Sequence, residues 1–239
     1  MTAEWKKTLE KGLTDLGLTP PEGAVDQLAR LTDQMLETNQ VMNLTAITDP
    51  GEIITLHLLD SAALLPSRAL TGRKVIDVGT GAGFPGLVLR ILDPSIKLTL
   101  LDSLGKRVTY LSEVCTELGL DDVVCLKGRA EEVSRTRDHR EGYDVAVSRA
   151  LASMPVLAEL CLPFVKQGGL FMAMKSNKTD EEIDAARPII AKLGGDDPFV
   201  MDYRLPGTEV FHRVATVYKS RPTPSAYPRK WSKIKEGKV

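Results

Sequence analysis

Four groups of residues in this chain have the types and spacing to do chemistry. The first is a loop of glycines at alternate positions, Gly79, Gly81 and Gly83, just behind Asp77. Glycine reaches positive φ without steric cost and lets a ligand approach the backbone. Where such a loop runs from a strand into a helix, it offers backbone N–H groups and the positive end of the helix dipole. Asp77 has two readings: its carboxylate anchors the loop, or it meets a ligand ammonium. The second group is Asp102, 23 positions after Gly79. A carboxylate at the end of the next strand suits the two hydroxyls of a ribose through charge-assisted hydrogen bonds; the competing role is a cap for the helix starting near Leu104. The third is the run Lys127-Gly128-Arg129-Ala130-Glu131-Glu132. It reads as a turn bringing a backbone amide and a carboxylate to an adenine edge, or as a charged helix start with its glutamates near the N-terminus. The fourth is Arg149, at the carboxyl end of a strand, where parallel sheets face their ligands; a salt bridge is its alternative role.

Two glycine patterns overlap in the first loop. Gly81-x-Gly83-x-x-Gly86 fits a dinucleotide fingerprint. Asp77-x-Gly79-x-Gly81-x-Gly83 is the acidic-glycine run of S-adenosylmethionine (SAM) methyltransferases, and it explains an acid inside the first strand, which a dinucleotide site does not need. Alone, the glycine run fits equally a tight turn of an ordinary α/β protein, which is the plain alternative.

The elements that position these groups follow from periodicity. Val75, Ile76 and Val78 form a buried strand, and Leu87 to Leu92 a short helix stopped by Pro94. Further strands are expected at Lys97–Leu101, Val123–Leu126, Tyr143–Val147 and Gly168–Met174, with helices over Leu104–Leu118 and Thr179–Lys192. A final pair near Phe199–Leu205 and Glu209–Tyr218 flanks the turn Pro206-Gly207. That makes seven strands, and an antiparallel ending suits a methyltransferase better than the sixth parallel strand of a dinucleotide domain. The expected fold is α/β: a class I, Rossmann-like, mostly parallel seven-stranded sheet with helices on both faces and its last strand antiparallel. A small helical cap precedes it. Trp5, Leu9, Leu13 and Leu16 mark its first helix. Thr19-Pro20-Pro21-Glu22 reads as a capping box for a second helix carrying Val25, Leu28, Leu31 and Met35. Asp49-Pro50-Gly51-Glu52 starts a third, with Ile54, Leu58, Ala62 and Leu65 as its stripe and Pro66 past its end. Residues 39–48 join the second and third helices, as a connecting loop or as a segment beside the cofactor. The expected divisions are a cap at 1–70, a SAM-binding domain at 71–220 and a basic, flexible tail at 221–239.

Composition bounds these readings. The 239 residues carry a net charge of −1, which gives no global polyanion signature. The charge is unevenly spread. Residues 212–239 hold Arg213, Lys219, Arg221, Arg229, Lys230, Lys233, Lys235 and Lys238 against Glu236, whereas residues 1–71 are acidic. A basic tail interleaved with Tyr227 and Trp231 could track phosphates, with Arg229, Lys230, Lys233 and Lys235 as RNA-binding candidates; a solvated end is the plain alternative. Cys115, Cys125 and Cys161 form no C-x-x-C pair and read as small core residues of a reducing compartment. Three scattered histidines give no metal site. No apolar run approaches the ~20 residues of a membrane span, and the N-terminus lacks a signal-peptide core. A cytoplasmic location is expected.

Four segments resemble the bacterial 16S ribosomal RNA small-subunit methyltransferase family RsmG, also called GidB: Asn43-Leu44-Thr45-Ala46-Ile47, His57-Leu58-Leu59-Asp60-Ser61, Asp77-Val78-Gly79-Thr80-Gly81-Ala82-Gly83-Phe84-Pro85-Gly86 and Ser148-Arg149-Ala150. The continuation of the glycine run into Phe84-Pro85-Gly86 is its most specific part. The resemblance implies methyl transfer from SAM to N7 of one guanine in 16S rRNA, with the small ribosomal subunit as partner. A monomer is expected. It implies cofactor contacts at Gly79, Phe84, Ala130, Glu131 and Arg149; the residues themselves add Asp77, Gly81 and Asp102. It also makes the loop around Asn43 a cleft wall. One departure stands out: the family's tail continues from Tyr-Pro-Arg-Lys into Gly, Pro and Lys, whereas Trp231-Ser232-Lys233-Ile234-Lys235 follows here.

Such chemistry needs no general base. A sulfonium methyl is electrophilic, guanine N7 has a free lone pair, and orientation can supply ~7–11 kcal/mol of the barrier. Asn43, Arg149 and Lys175 are the candidates for orienting the reactants. Two other functions fit the residues less well. A SAM enzyme acting on a small molecule would not need the basic tail. A nicotinamide-dependent oxidoreductase would not need Asp77 or the terminal hairpin.

Overall fold

A computed structural model describes residues 2–176 and 178–236; Lys238, one of the basic tail residues, lies outside the described residues. Seven strands form one sheet in the order β3-β2-β1-β4-β5-β7-β6. They are β1 Lys74–Val78, β2 Lys97–Asp102, β3 Val124–Lys127, β4 Tyr143–Arg149, β5 Val165–Ser176, β6 Phe199–Arg204 and β7 Phe211–Tyr218. The pairings from β3 through β5 are parallel, and β7 runs antiparallel between β5 and β6. Chain order reverses between β1 and β4, the place where open α/β sheets bind ligands.

Strand alternation assigns the faces. In β1, Val75 belongs to the core shared with the cap and the helix Gly86–Leu92. Ile76 and Val78 belong to the opposite core, formed with the helices Met154–Cys161 and Asp180–Lys192. Asp77 alternates with them and so points beneath the glycine loop.

The cap helices share the first core rather than making one of their own: Trp5, Leu9, Leu28 and Met35 join Leu87, Leu89 and Leu111. Two local expectations change. Thr19 caps nothing. The second helix, Ala24–Met42, starts from Gly23 in the left-handed region (φ 76), because Pro20 and Pro21 lead into a turn closed by Ala24 N donating to the Pro21 carbonyl at 3.1 Å. The third start is as read, with the Asp49 carboxylate accepting from Gly51 N and Glu52 N at 2.9 Å. Its continuation differs. Ile53–Leu59 is π-helical, and every residue from His57 to Leu65 is buried. This segment is covered all round, so it carries His57, Asp60 and Ser61 inside, where a 3.6-residue stripe places only its apolar residues. Pro66 lies past the helix end at Ala62, within a separate 3₁₀ turn, Leu65–Ser67.

The tail also differs from expectation up to Glu236. The Glu159 carboxylate, 1% exposed, accepts from Arg229 N at 2.7 Å, Nε at 2.9 Å and Nη2 at 2.7 Å. Arg135 donates to the carbonyls of Ala226 and Pro228, and Arg140 to those of Thr223 and Tyr227. Ile234, on the short helix Trp231–Ile234, is buried. A buried carboxylate needs a counter-charge, and the tail supplies it, so these residues are docked rather than free.

Candidate functional site

Three cavities lie in a row along the carboxyl ends of the strands. The first, about 300 Å³, is lined by Gly79, Asp102, Gly128, Ala130, Glu131 and Trp231, among others. The second, about 420 Å³, is bounded by Thr45, His57, Gly81, Phe84, Arg107 and Arg149. It meets the first at Gly79 and Leu151. The third, about 490 Å³, lies beyond Arg149 and includes Asp60, Lys175, Glu182 and His212; it shares His57, Arg149 and Ala150 with the second.

The glycine loop floors the first two cavities. Gly79 N and Thr80 N donate to the Leu101 carbonyl at 2.9 and 3.2 Å, tying the loop to β2. Gly81 has φ +60 and open space where a Cβ would be, so its backbone is free to be approached. Gly81 N also donates to Asp102 Oδ2 at 3.1 Å, while Asp102 Oδ1 accepts from Leu104 N at 2.9 Å. Asp102 thus stands in the cavity wall, and its bond to Leu104 N closes a turn just ahead of the helix Gly105–Glu117, whose N-cap is Leu104 and has no side-chain cap bond. Ala130 and Glu131 stand opposite, with Glu131 paired to Arg129 Nε at 2.6 Å.

Asp77 is corrected as a cofactor contact. It is fully buried and lines none of these cavities. Its Oδ2 accepts from Thr80 Oγ1 at 2.7 Å and Gly86 N at 2.9 Å, which is the anchoring role. Burial pushes its carboxyl up to about 6, against the lowering effect of those two hydrogen bonds. Gly86 must be glycine here, because a Cβ would lie 2.9 Å from Asp77 Oδ2 and 2.6 Å from Leu100 Cδ2.

Between the second and third cavities lies a polar network that no spacing in the sequence announces. Asp60 Oδ1 accepts from Tyr203 Oη at 2.6 Å and faces His212 Nδ1 at 2.9 Å; Asp60 Oδ2 accepts from Arg149 Nη1 at 3.1 Å. Burial raises the Asp60 carboxyl, but His212, Arg149 and Tyr203 together hold it below the ordinary value. Arg149 Nη1 also donates to the Leu56 carbonyl at 2.7 Å, and Nη2 to His57 Nδ1 at 3.1 Å. Since His57 Nδ1 accepts, its Nε2 carries the proton and donates to Thr45 Oγ1 at 2.9 Å. Burial, helped by the Arg149 charge, lowers His57 to about 4, so its ring is neutral near pH 7. The ring stacks on Phe84 with centroids 4.9 Å apart, and the Arg149 guanidinium lies 5.4 Å from the Phe84 centroid.

The orientation candidates separate. Arg149 stands in the cleft, with its two Nη atoms bonded to the cap. Lys175 lines the third cavity, with Nζ donating to the Ala152 carbonyl at 2.9 Å and paired with Glu182. Asn43 is corrected: it is the exposed left-handed C-cap of its helix, φ 52, and its neighbours Leu44 and Thr45 reach the cleft instead. Asn39 holds that loop by accepting from Leu44 N and Thr45 N and donating to the Thr45 carbonyl. Of the RNA-binding candidates, Arg229 is committed to Glu159, whereas Lys230, Lys233 and Lys235 are exposed. His57 and Asp60 were visible only as parts of a matching segment, with no chemistry attached.

Comparisons with known proteins agree with this geometry. A family model described as rRNA small subunit methyltransferase G matches residues 24–205. A protein named Ribosomal RNA small subunit methyltransferase G from Alkaliphilus metalliredigens is 46% identical over 95% of this chain and 95% of its own. A protein of the same name from Acetivibrio thermocellus is 43% identical over 95% of this chain and 94% of its own. Among solved structures, an O-methyltransferase from Bacillus cereus in complex with SAH aligns with a TM-score of 0.57 at 16% identity, covering 89% of this chain and 97% of that one. A putative O-methyltransferase from Klebsiella pneumoniae gives 0.55 at 17% identity, over 91% and 98%. At such identities these neighbours speak for the class I methyltransferase fold.

Proposed function

Since the chain belongs to the rRNA small subunit methyltransferase G family, whose members use SAM to methylate rRNA, we propose that it transfers methyl to N7 of one guanine in 16S rRNA of the small subunit. The observation that carries this reading is the row of three joined cavities across the β1–β4 switch point. The first suits an adenosine, with Asp102 for the ribose hydroxyls and Ala130 and Glu131 beside the base. The second suits an amino-acid end, over Gly81 and Phe84. The third, reached across Arg149, is large enough for an unstacked base and is walled by Lys175 and Glu182.

SAM supplies an electrophilic methyl on sulfur. The protein orients the acceptor toward it and excludes water. Among the described residues, three of the cleft's possible bases are engaged, and His212, whose Nδ1 bonds Asp60, is not needed as a base for attack by N7. The only acceptor nitrogen of the neutral His57 ring is occupied by Arg149, Asp60 accepts three contacts, and Glu182 is engaged by Lys175 and by Met154 N. N7 alkylation needs no proton removed before attack, so such a site suffices. We assign Gly79, Gly81, Phe84, Asp102, Ala130, Glu131 and Arg149 to the cofactor side, Lys175 to the acceptor side, and Lys230, Lys233 and Lys235 to phosphates. The divisions 1–70, 71–220 and 221–239 serve as cleft wall, catalytic domain and RNA-facing tail. A cytoplasmic monomer fits this role; among the described residues, no helix is long and apolar enough to cross a membrane. Small-molecule methylation and nicotinamide chemistry are not favoured by the family.

The test is acceptor choice. Labelled methyl from SAM should enter 16S rRNA, free or in the small subunit, with incorporation falling as salt rises because phosphate contacts weaken. Demonstrated SAM binding with no transfer to either RNA form would turn the reading toward small-molecule acceptors.

A further inference from the structure

The adenosine cavity has one wall that the catalytic domain does not make. Gly79, Asp102, Gly128 and Ala130 come from the ends of β1, β2 and β3, but Trp231 comes from the tail, more than eighty residues beyond them. Its indole is held from both sides. Arg129 places its guanidinium 5.1 Å from the ring centroid, a cation–π contact. Two residues earlier, Arg229 makes its three hydrogen bonds to the buried Glu159; three residues later, Ile234 is buried in the core. Trp231 itself remains 39% exposed. A large aromatic ring fixed over a cavity yet left open has unspent contact surface, and a flat heteroaromatic base is what such a face stacks on.

Lys230, Lys233 and Lys235 are exposed on the same short segment. Lys230 and Trp231 also border a further cavity of about 690 Å³, together with Arg129, Arg135, Arg229 and Ser232 and the carboxylates of Glu131 and Glu132. Arg129, Glu131 and Trp231 border both cavities, so the indole lies between the adenosine cavity and one walled by mixed charges, with the exposed lysines on the same segment. A phosphate held by these lysines steadies the segment that holds the indole in place, and a ligand under the indole steadies the lysines. Linkage makes such an effect reciprocal.

We propose that Trp231 is a cofactor-contacting residue that closes the adenosine cavity over the adenine ring, and that through it RNA binding at Lys230, Lys233 and Lys235 tightens cofactor binding. The proposal rests on the SAM-binding reading of the first cavity. It assigns the tail two tasks on one rigid segment: the aromatic ring faces inward to the nucleoside and the ammonium groups face outward to the polyanion.

The experiment is titration with S-adenosylhomocysteine (SAH), followed both by calorimetry and by tryptophan emission, on the full chain and on Trp231→Phe and Trp231→Ala. The chain has two tryptophans, and Trp5 is buried in the cap, so Trp231→Phe supplies the blank. Emission should change on saturation in the wild type with the calorimetric midpoint, and stay constant in Trp231→Phe. Trp231→Ala should weaken SAH about tenfold, and Trp231→Phe much less, since a phenyl ring still stacks. Added 16S rRNA should tighten SAH severalfold in the wild type and leave Trp231→Ala unchanged. Normal SAH affinity in Trp231→Ala, with no emission change in the wild type, would overturn the adenine contact while leaving the cofactor reading intact. Equal RNA effects in both proteins, or none in either, would overturn the coupling. If the wild type failed to bind SAH by calorimetry, the cofactor reading itself would fail, and this proposal with it.

Discussion

At Arg149 one guanidinium joins three parts of the molecule: it serves the Leu56 carbonyl, His57 and Asp60 of the cap from the end of β4, while Asp60 also reaches Tyr203 and His212 of the hairpin. Removing one member of a buried ion pair leaves the other charge uncompensated, at a cost of ~3–5 kcal/mol. Arg149→Ala is therefore expected to lower unfolding free energy in urea by about 3 kcal/mol and to abolish methyl transfer; a loss of transfer with unchanged stability would show that its bonds to the cap are unimportant. His57 gives a pH prediction. Its folded value, about 4, lies below its unfolded value near 6.5. Between these values the unfolded chain binds the extra proton, so this contribution to stability is complete above 6.5 and is lost as pH falls toward 4, by roughly 3 kcal/mol at most. Nitrogen-detected NMR should find a neutral Nε2–H ring at pH 6; an imidazolium there would contradict the network. Asp77 works in the opposite sense. Its folded value is raised to about 6, so the folded state takes the proton first and gains stability as pH falls from 6 toward 3.8. Asp77→Asn should make the acid loss steeper over this window, as seen in melting temperatures measured between pH 4 and 6.

The elements differ in what holds them, and their legibility in the sequence differs accordingly. The glycine loop depends on a close approach. Gly86→Ala drives a Cβ into Asp77 and Leu100, an overpacking cost of ~1–3 kcal/mol, and should weaken SAH binding by displacing the loop; unchanged melting and binding would mean that Asp77 is not the anchor. The tail depends on Glu159. Arg229→Ala should expose Lys230 and Lys233 to rapid trypsin cleavage, whereas the intact chain resists at these sites. Rapid cleavage of both would restore the flexible tail that composition alone suggests. Strands were readable because β-branched runs such as Val75-Ile76 and turn signals such as Pro206-Gly207 are local, and Asp102 was readable because strand ends fix positions by counting. The tail was not, because its partners Arg135, Arg140 and Glu159 lie about 70 to 90 residues away and composition carries no pairing. The π-helical turn was not, because a buried helix has no polar face to set a period, so His57 and Asp60 looked incidental. The resemblance made the loop around Asn43 a cleft wall, but backbone conformation at the helix end gives the cleft-lining task to Leu44 and Thr45.

For the whole molecule, the carboxyl ends of the strands line up a first cavity, proposed for adenosine, a glycine-floored cavity and a third cavity across Arg149, with a basic tail docked beside the first. Asp102 ties the scheme together, since it faces the first cavity and also holds Gly81 and Leu104. Hydrogen bonds to a charged group contribute about 1.5–3 kcal/mol each. Asp102→Ala should therefore weaken SAH at least tenfold, and calorimetry that found equal affinity would remove the ribose role. Because N7 attack needs no proton removed first, the single-turnover rate should be flat from neutral to mildly alkaline pH; a rise through one ionisation would show that a base, such as His212 in the third cavity, takes part. The most direct measurement maps the product. 16S rRNA incubated with the protein and SAM is reduced with borohydride and cleaved with aniline, which breaks the chain at N7-methylguanosine. A single new cut at one guanine, absent with Asp102→Ala, is the expected result. Methyl incorporation without any such cut would place the methyl on another atom and contradict the account.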